Sequence, residues 1–264
     1  MKSSNYLSIE MQSGTEKLAE ALVLRGFPVE VNNDFISLRN GSQHDQQQLK
    51  TFLDTLEIPV FWNGDGFQLL VNHFPIPKMR KIIQYPGREH MVNMEGYHFQ
   101  WRSFVTRRYG IRTNTIELCP YTAILVKALN EAGIVTLTGC NGHGQHDPNF
   151  QLSGIYHGIW FSIIQQRYLK DLPLHYQWDM QFIRGGCNAG IFAQKSSDDR
   201  WDMNKVLADC YQMAQMLTSH AAEIRAWKRR TFKRNMKQSA EAMKKGGNIH
   251  QLFEWMIEAA ELTK

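Results

Sequence analysis

The chain has 264 residues, 43% of them hydrophobic and 21% charged, with a formal net charge of +5. That length buries a sizeable core as one large domain or two smaller ones. The chain has no run of 18 or more apolar residues, which excludes a membrane-spanning helix. Its four widely spaced cysteines exclude a dense disulfide framework and a CxxC pair.

No apolar signal core follows Met1-Lys2-Ser3-Ser4-Asn5, so no secretion signal is read. Together with the twelve methionines and dispersed cysteines, this points to a cytoplasmic protein. The charge is unevenly spread: residues 225–237 alone carry +7, against −2 for 1–80, +1 for 81–224 and −1 for 238–264. A local basic element therefore sits on a near-neutral body.

An internal repeat opens the chain. Leu18, Leu22, Pro28, Val29 and Asn32 recur 31 residues later as Leu49, Leu53, Pro59, Val60 and Asn63. One inserted residue then aligns Phe35 with Phe67 and Leu38 with Leu70. Each copy predicts a short amphipathic helix and two strands, joined by Asn/Asp/Gly turns that tolerate positive φ. Two such αββ units predict one small sheet with both helices on one face. The module is either a structural duplication without a site or a surface for a protein partner. Residues 72–88 hold three of the eight prolines and read as a linker, or as a loop within one domain.

The aromatic-dense run from Tyr97 predicts packing against a sheet. A helix follows Pro120, with Ile124, Leu125, Ala128, Leu129 and Ala132 on one face and Gly133 as its cap. Strands are predicted at Ile134–Thr138, Gly154–Gln165, His175–Phe182 and Asn188–Gln194. A long helix then runs from Asp202 to about Lys237, and a final helix from Ile249 to Leu262. The class is α+β: a mainly antiparallel sheet with helices stacked on it, preceded by the duplicated module. The expected domains are 1–75, 76–237 and a C-terminal helix in 238–264.

Chemistry concentrates in Gly139-Cys140-Asn141-Gly142-His143-Gly144-Gln145-His146-Asp147. Glycines let backbone approach a ligand, and successive N–H groups form anion nests. Gly139, Asn141, Gly142 and Gly144, with Tyr156 and Trp160, are the candidate nucleotide- or cofactor-binding residues. Cys140, His143 and His146 have the donor types of a transition-metal site, with His157, Cys119, Asp147 or water as a fourth ligand. The same loop offers Cys140 as nucleophile with His143 as base, and Glu117 as a second general base. Arg107, Arg108 and Arg112 are candidate phosphate contacts. In the plainer reading, Cys140 is a small buried hydrophobe and the histidines are solvated.

The helix with Lys127-Ala-Leu-Asn-Glu-Ala-Gly-Ile134, the strand ending in Thr138-Gly-Cys-Asn-Gly-His143, and Gly158-Ile-Trp-Phe161 resemble the family that methylates the wybutosine precursor base in tRNA. They also resemble uncharacterised bacterial and phage proteins with a Cys-x-Gly-His loop. The likeness extends through Trp178–Phe182, Ala189–Ala193 and Val206–Ala214 and covers roughly residues 115–222. That family carries Ser-Cys-Ser-Gly-Arg at the loop; here Cys140 and Gly142 match and His143 replaces the arginine. The resemblance implies S-adenosylmethionine binding and tRNA methylation.

The segment Arg225–Lys237 interleaves Trp227 and Phe232 with seven cations and no acid. Lys228, Arg229, Arg230, Lys233, Arg234 and Lys237 are its candidate phosphate contacts; an acidic protein or anionic lipid is the rival partner. The leading expectation is a cytoplasmic nucleic-acid-associated protein, with RNA ahead of DNA, that modifies base or ribose if it is an enzyme. The rivals are a non-catalytic phage or mobile-element inhibitor acting through the repeat, and a metal-dependent hydrolase built on His143, His146 and His157.

Overall fold

Ser13 starts the first helix, α1 (Gly14–Arg25), with a reciprocal cap. Its hydroxyl accepts from the Glu16 N–H at 3.2 Å, and the Glu16 carboxylate accepts from the Ser13 N–H at 2.7 Å. Gly26 ends the helix in the left-handed region at φ 104°. The computed structural model describes residues 12–39, 43–87, 100–107, 114–183, 188–196, 200–246 and 248–263. The chain is α+β and falls into two compact units, Met1–Arg88 with Asn114–Ile124, and Glu89–Thr113 with Leu125–Lys264. Residues 72–88 belong to the first unit, and the C-terminal helix belongs to the second.

In the first unit α1 is followed by β1 (Val29–Asn32), β2 (Phe35–Leu38), α2 (Gln43–Thr55), β3 (Val60–Asn63), β4 (Gly66–Leu69) and α3 (Ile76–Ile83). The sheet is antiparallel in the order β1-β2-β4-β3. Leu18 and Leu22 of α1 join Leu49, Phe52 and Leu53 of α2 in one core with Ile36 and Phe67, so both helices cover one face, as expected. The repeat keeps its 31-residue offset through both hairpins: Val29 pairs Leu38 as Val60 pairs Leu69. The one-residue insertion expected after Asn63 is therefore absent. At the seam Ile36 pairs Phe67, its own repeat equivalent. A local two-fold axis passes through that buried pair, which is what two copies of one hairpin need to close an antiparallel sheet.

The least predictable residue of this unit is Arg25, 0% exposed. Its guanidinium donates to the Thr115, Ile116 and Leu118 carbonyls at 2.9, 2.9 and 3.0 Å. Gln48 Oε1 accepts from the Thr115 N–H at 3.2 Å. These bonds draw 114–118 into the first unit. Burial pushes the Arg25 guanidinium down to about 10.

The second unit repeats the topology. After α4 (Trp101–Thr106), α5 (Ala123–Glu131) leads into β5 (Thr136–Cys140), β6 (Asn149–Leu152), α6 (Ile155–Ile164), β7 (Gln177–Ile183) and β8 (Asn188–Gln194). The antiparallel order is β5-β6-β8-β7. Phe150 pairs Ile191 at the seam, both 0% exposed. Here the local axis corresponds to an offset of 41 residues, since Thr138–Gln151 and Phe182–Ala189 are the two hairpin registers.

Helix α6 corrects the strand expected at Gly154–Gln165. Gly154 opens the helix at φ 84°, and nearly every residue in it is buried. A helix buried all round shows no amphipathic period and reads as a β-branched, aromatic run. Gly158 lets it lie against β8, because a Cβ there would come 2.3 Å from the Ala189 Cβ.

The expected long helix is likewise broken. α7 (Met203–Ser219) stops at His220, α8 (Ala221–Thr231) stops at Phe232, and a 3₁₀ turn (Arg234–Met236) precedes α9 (Lys237–Lys245) and α10 (Ile249–Glu261). Phe232 takes extended φ/ψ of −103° and 121°, turning its ring toward Trp101 and Trp160 at 5.7 and 5.5 Å. Asp209 on α7 is 0% exposed. Its carboxylate accepts from the His175 and Tyr176 N–H groups, the His175 ring and the Trp178 indole at 2.8–3.0 Å, fixing the start of β7. No described helix is long and apolar enough to cross a membrane.

Candidate nucleic-acid interface and thiol–imidazole loop

The basic segment owes its form to which side chains turn inward. Trp227 and Phe232 are 1% and 2% exposed. The Trp227 indole donates to the Ala260 carbonyl at 3.2 Å, and Trp101 Nε1 donates to the Lys233 carbonyl at 2.8 Å. The connector between α8 and α9 is thereby fastened to the aromatic core, and the aromatics are not available for stacking on bases.

Lys228 goes inward as well, which removes it from the phosphate contacts. Only 3% exposed, its ammonium donates to the Gly133 carbonyl at 2.9 Å and lies 4.2 Å from the Phe104 ring centroid. Burial pushes it down to about 7. Arg229, Arg230, Lys233, Arg234 and Lys237 remain exposed. Lys237 has Glu241 at 3.8 Å. Among the described residues Arg229, Arg230, Lys233 and Arg234 have no carboxylate within ion-pair distance. The Lys233 ammonium instead donates to the Arg229 carbonyl at 2.8 Å, and cations at this end of α8 suit its dipole. Arg107 is half-buried at the end of α4; Arg108 and Arg112 lie outside the described residues.

The loop after β5 is a tight left-handed turn. Gly142, His143 and Gly144 have φ of 72°, 51° and 75°. Asn141 is buried, and its Oδ1 accepts from the His143 N–H at 2.9 Å. The Gly142 carbonyl accepts from the Gln145 and His146 N–H groups at 2.9 and 2.8 Å. The Gly142 N–H donates to Cys140 Sγ at 3.4 Å. Cys140 Sγ and a His143 ring nitrogen lie within 4.8 Å of each other, so the thiol and imidazole that the spacing singled out are brought together. His143 is exposed and Cys140 half-buried.

Of the other residues assigned to this loop's chemistry, His146, His157 and Glu117 do not join the Cys140–His143 pair. Gly139 serves packing: a Cβ there would come 2.8 Å from Val126 and 2.9 Å from Phe150. Tyr156 and Trp160 are 1% and 0% exposed in the core, against Trp101 at 5.2 Å and Trp227 at 4.9 Å respectively. The Tyr156 hydroxyl and Trp160 indole have no hydrogen-bond partner among the described residues. Burial, with a smaller effect from Glu241, pushes Tyr156 up to about 12. His157 is 2% exposed. It accepts from the Val135 N–H at 3.3 Å and packs edge-on to Phe104, so it is not part of the cysteine–histidine group. His146 is exposed and outside that group too. Glu117 is exposed and belongs to the first unit. Tyr156, His157 and Trp160 share a cause: α6 is a buried helix, so these side chains face the core.

No family model, curated protein or solved structure matches the chain.

Proposed function

We propose that the protein binds nucleic acid through the sugar–phosphate backbone, using the exposed basic corner between α8 and α9. The observation that carries this reading is the sorting of side chains there: aromatics inward, and Arg229, Arg230, Lys233 and Arg234 outward without carboxylate partners among the described residues. A rigid corner that concentrates unneutralised positive charge attracts polyanions. Because Trp227 and Phe232 are buried, the corner supplies no stacking platform, and binding is expected to be indifferent to sequence.

The test is fluorescence anisotropy with short single-stranded RNA and DNA of unrelated sequences. Replacing Arg229, Arg230, Lys233 and Arg234 together by Ala should weaken every complex by at least about tenfold and by a similar factor. Unchanged affinity, or binding to anionic vesicles with none to either nucleic acid, refutes the assignment.

A further inference from the structure

We propose that Cys140 and His143 are a ligand pair for a thiophilic divalent cation of the zinc class. The inference is independent of the nucleic-acid reading and rests on side chains within the second unit. Sγ and the ring nitrogen lie within 4.8 Å of each other. Zinc bonds to sulfur and imidazole at a tetrahedral angle place the two donors about 3.6 Å apart, within reach of small side-chain rotations. The sulfur is also oriented, since the Gly142 N–H donates to it at 3.4 Å. Such a bond stabilises a thiolate and is the kind of outer contact that steadies a metal ligand.

Backbone conformation points the same way. Three successive residues adopt positive φ, and the two outer ones are glycines, which do so without penalty. His143 carries a cost of roughly 1–2 kcal/mol for a side-chain-bearing residue there. Glycine at position 143 would remove that cost, so the imidazole is the group the turn holds at a price. Hard cations such as calcium and magnesium want oxygen ligands, and no carboxylate belongs to the group among the described residues. Binding replaces the S–H bond of Cys140 by a sulfur–metal bond and releases the proton to solvent, with no change of oxidation state. Water or other donors take the remaining positions.

The experiment uses the reduced full chain, freed of metal by chelation and titrated with cobalt(II) as a visible stand-in for zinc. Saturation at one equivalent is expected, with a thiolate-to-cobalt charge-transfer band that zinc bleaches. Cys140→Ser should abolish the band. His143→Gly should weaken binding by at least about tenfold while keeping the fold, because glycine takes the left-handed backbone freely; far-ultraviolet circular dichroism verifies this. His146→Ala should bind as the parent does. Absence of the band, binding only above millimolar metal, or a band retained in both Cys140→Ser and folded His143→Gly overturns the proposal.

Discussion

Lys228 offers a sharp test of the second unit's packing, because two effects oppose each other there. The Gly133 carbonyl at 2.9 Å and the Phe104 ring at 4.2 Å favour the ammonium form. Complete burial disfavours it, and burial wins: the group falls from its ordinary 10.5 to about 7. A depressed lysine binds fewer protons folded than unfolded between those values, so its contribution to stability rises with pH across that window. The penalty is fully present below pH 7 and vanishes above about 10.5. Integrated from pH 7 to pH 9, the gain is about 2 kcal/mol. Lys228→Met keeps most of the side chain's volume, does not titrate, and gives up a hydrogen bond worth about 1 kcal/mol. Urea denaturation of parent and variant should show the stability difference moving by about 2 kcal/mol in the parent's favour between pH 7 and 9. Arg25 and Tyr156, at about 10 and about 12, lie above this range. A difference independent of pH would show that Lys228 is solvated, and the packing of α8 against Phe104 would then be wrong.

Two further substitutions probe the same unit. Gly158→Ala should destabilise by at least 1–3 kcal/mol through the clash with Ala189, although alanine is the better helix former by about 1 kcal/mol; a rise in the denaturation midpoint would mean that α6 does not lie on β8. Asp209→Asn preserves shape but presents a donor to neighbouring N–H donors, and a loss of about 2–4 kcal/mol is expected; equal stability by thermal and urea unfolding would contradict the four-bond clasp at the start of β7.

Local turn chemistry made the first unit legible. Asn33 at φ 55° and Gly64 at φ 59° begin the two hairpin turns, and the repeated leucines marked the helices. The exact strand offset is ambiguous in the sequence because leucines stand at both 69 and 70; Leu70 is 63% exposed, and the equivalent of Leu38 is Leu69, facing the core. The second unit's internal symmetry has no such trace in the sequence, because its halves share topology rather than residues. Strand β8 was found at its observed bounds, Asn188–Gln194, while α6 was not. Burial on every side erases the periodicity that distinguishes a helix from a strand. A strand over 154–165 would send alternate side chains outward, whereas the helix keeps Tyr156, His157 and Trp160 in the core. The proximity of Cys140 and His143 is legible in the sequence because it depends on a local turn three residues long. The cation count at 225–237 was right as composition, but position decides exposure: Lys228 follows Trp227 on the inward side of α8 and cannot reach a phosphate.

The claim that exposed cations of the α8–α9 corner hold phosphate is tested most directly by the salt dependence of nucleic-acid binding. If Arg229, Arg230, Lys233, Arg234 and Lys237 each displace one condensed counterion, log K should fall against log salt with a slope of roughly −3.5 on single strands and −4.5 on duplex DNA. Substituting the first four by Ala should bring the slope close to −1 on either. A slope near zero for the parent chain, or the same slope in the substituted one, would contradict the account.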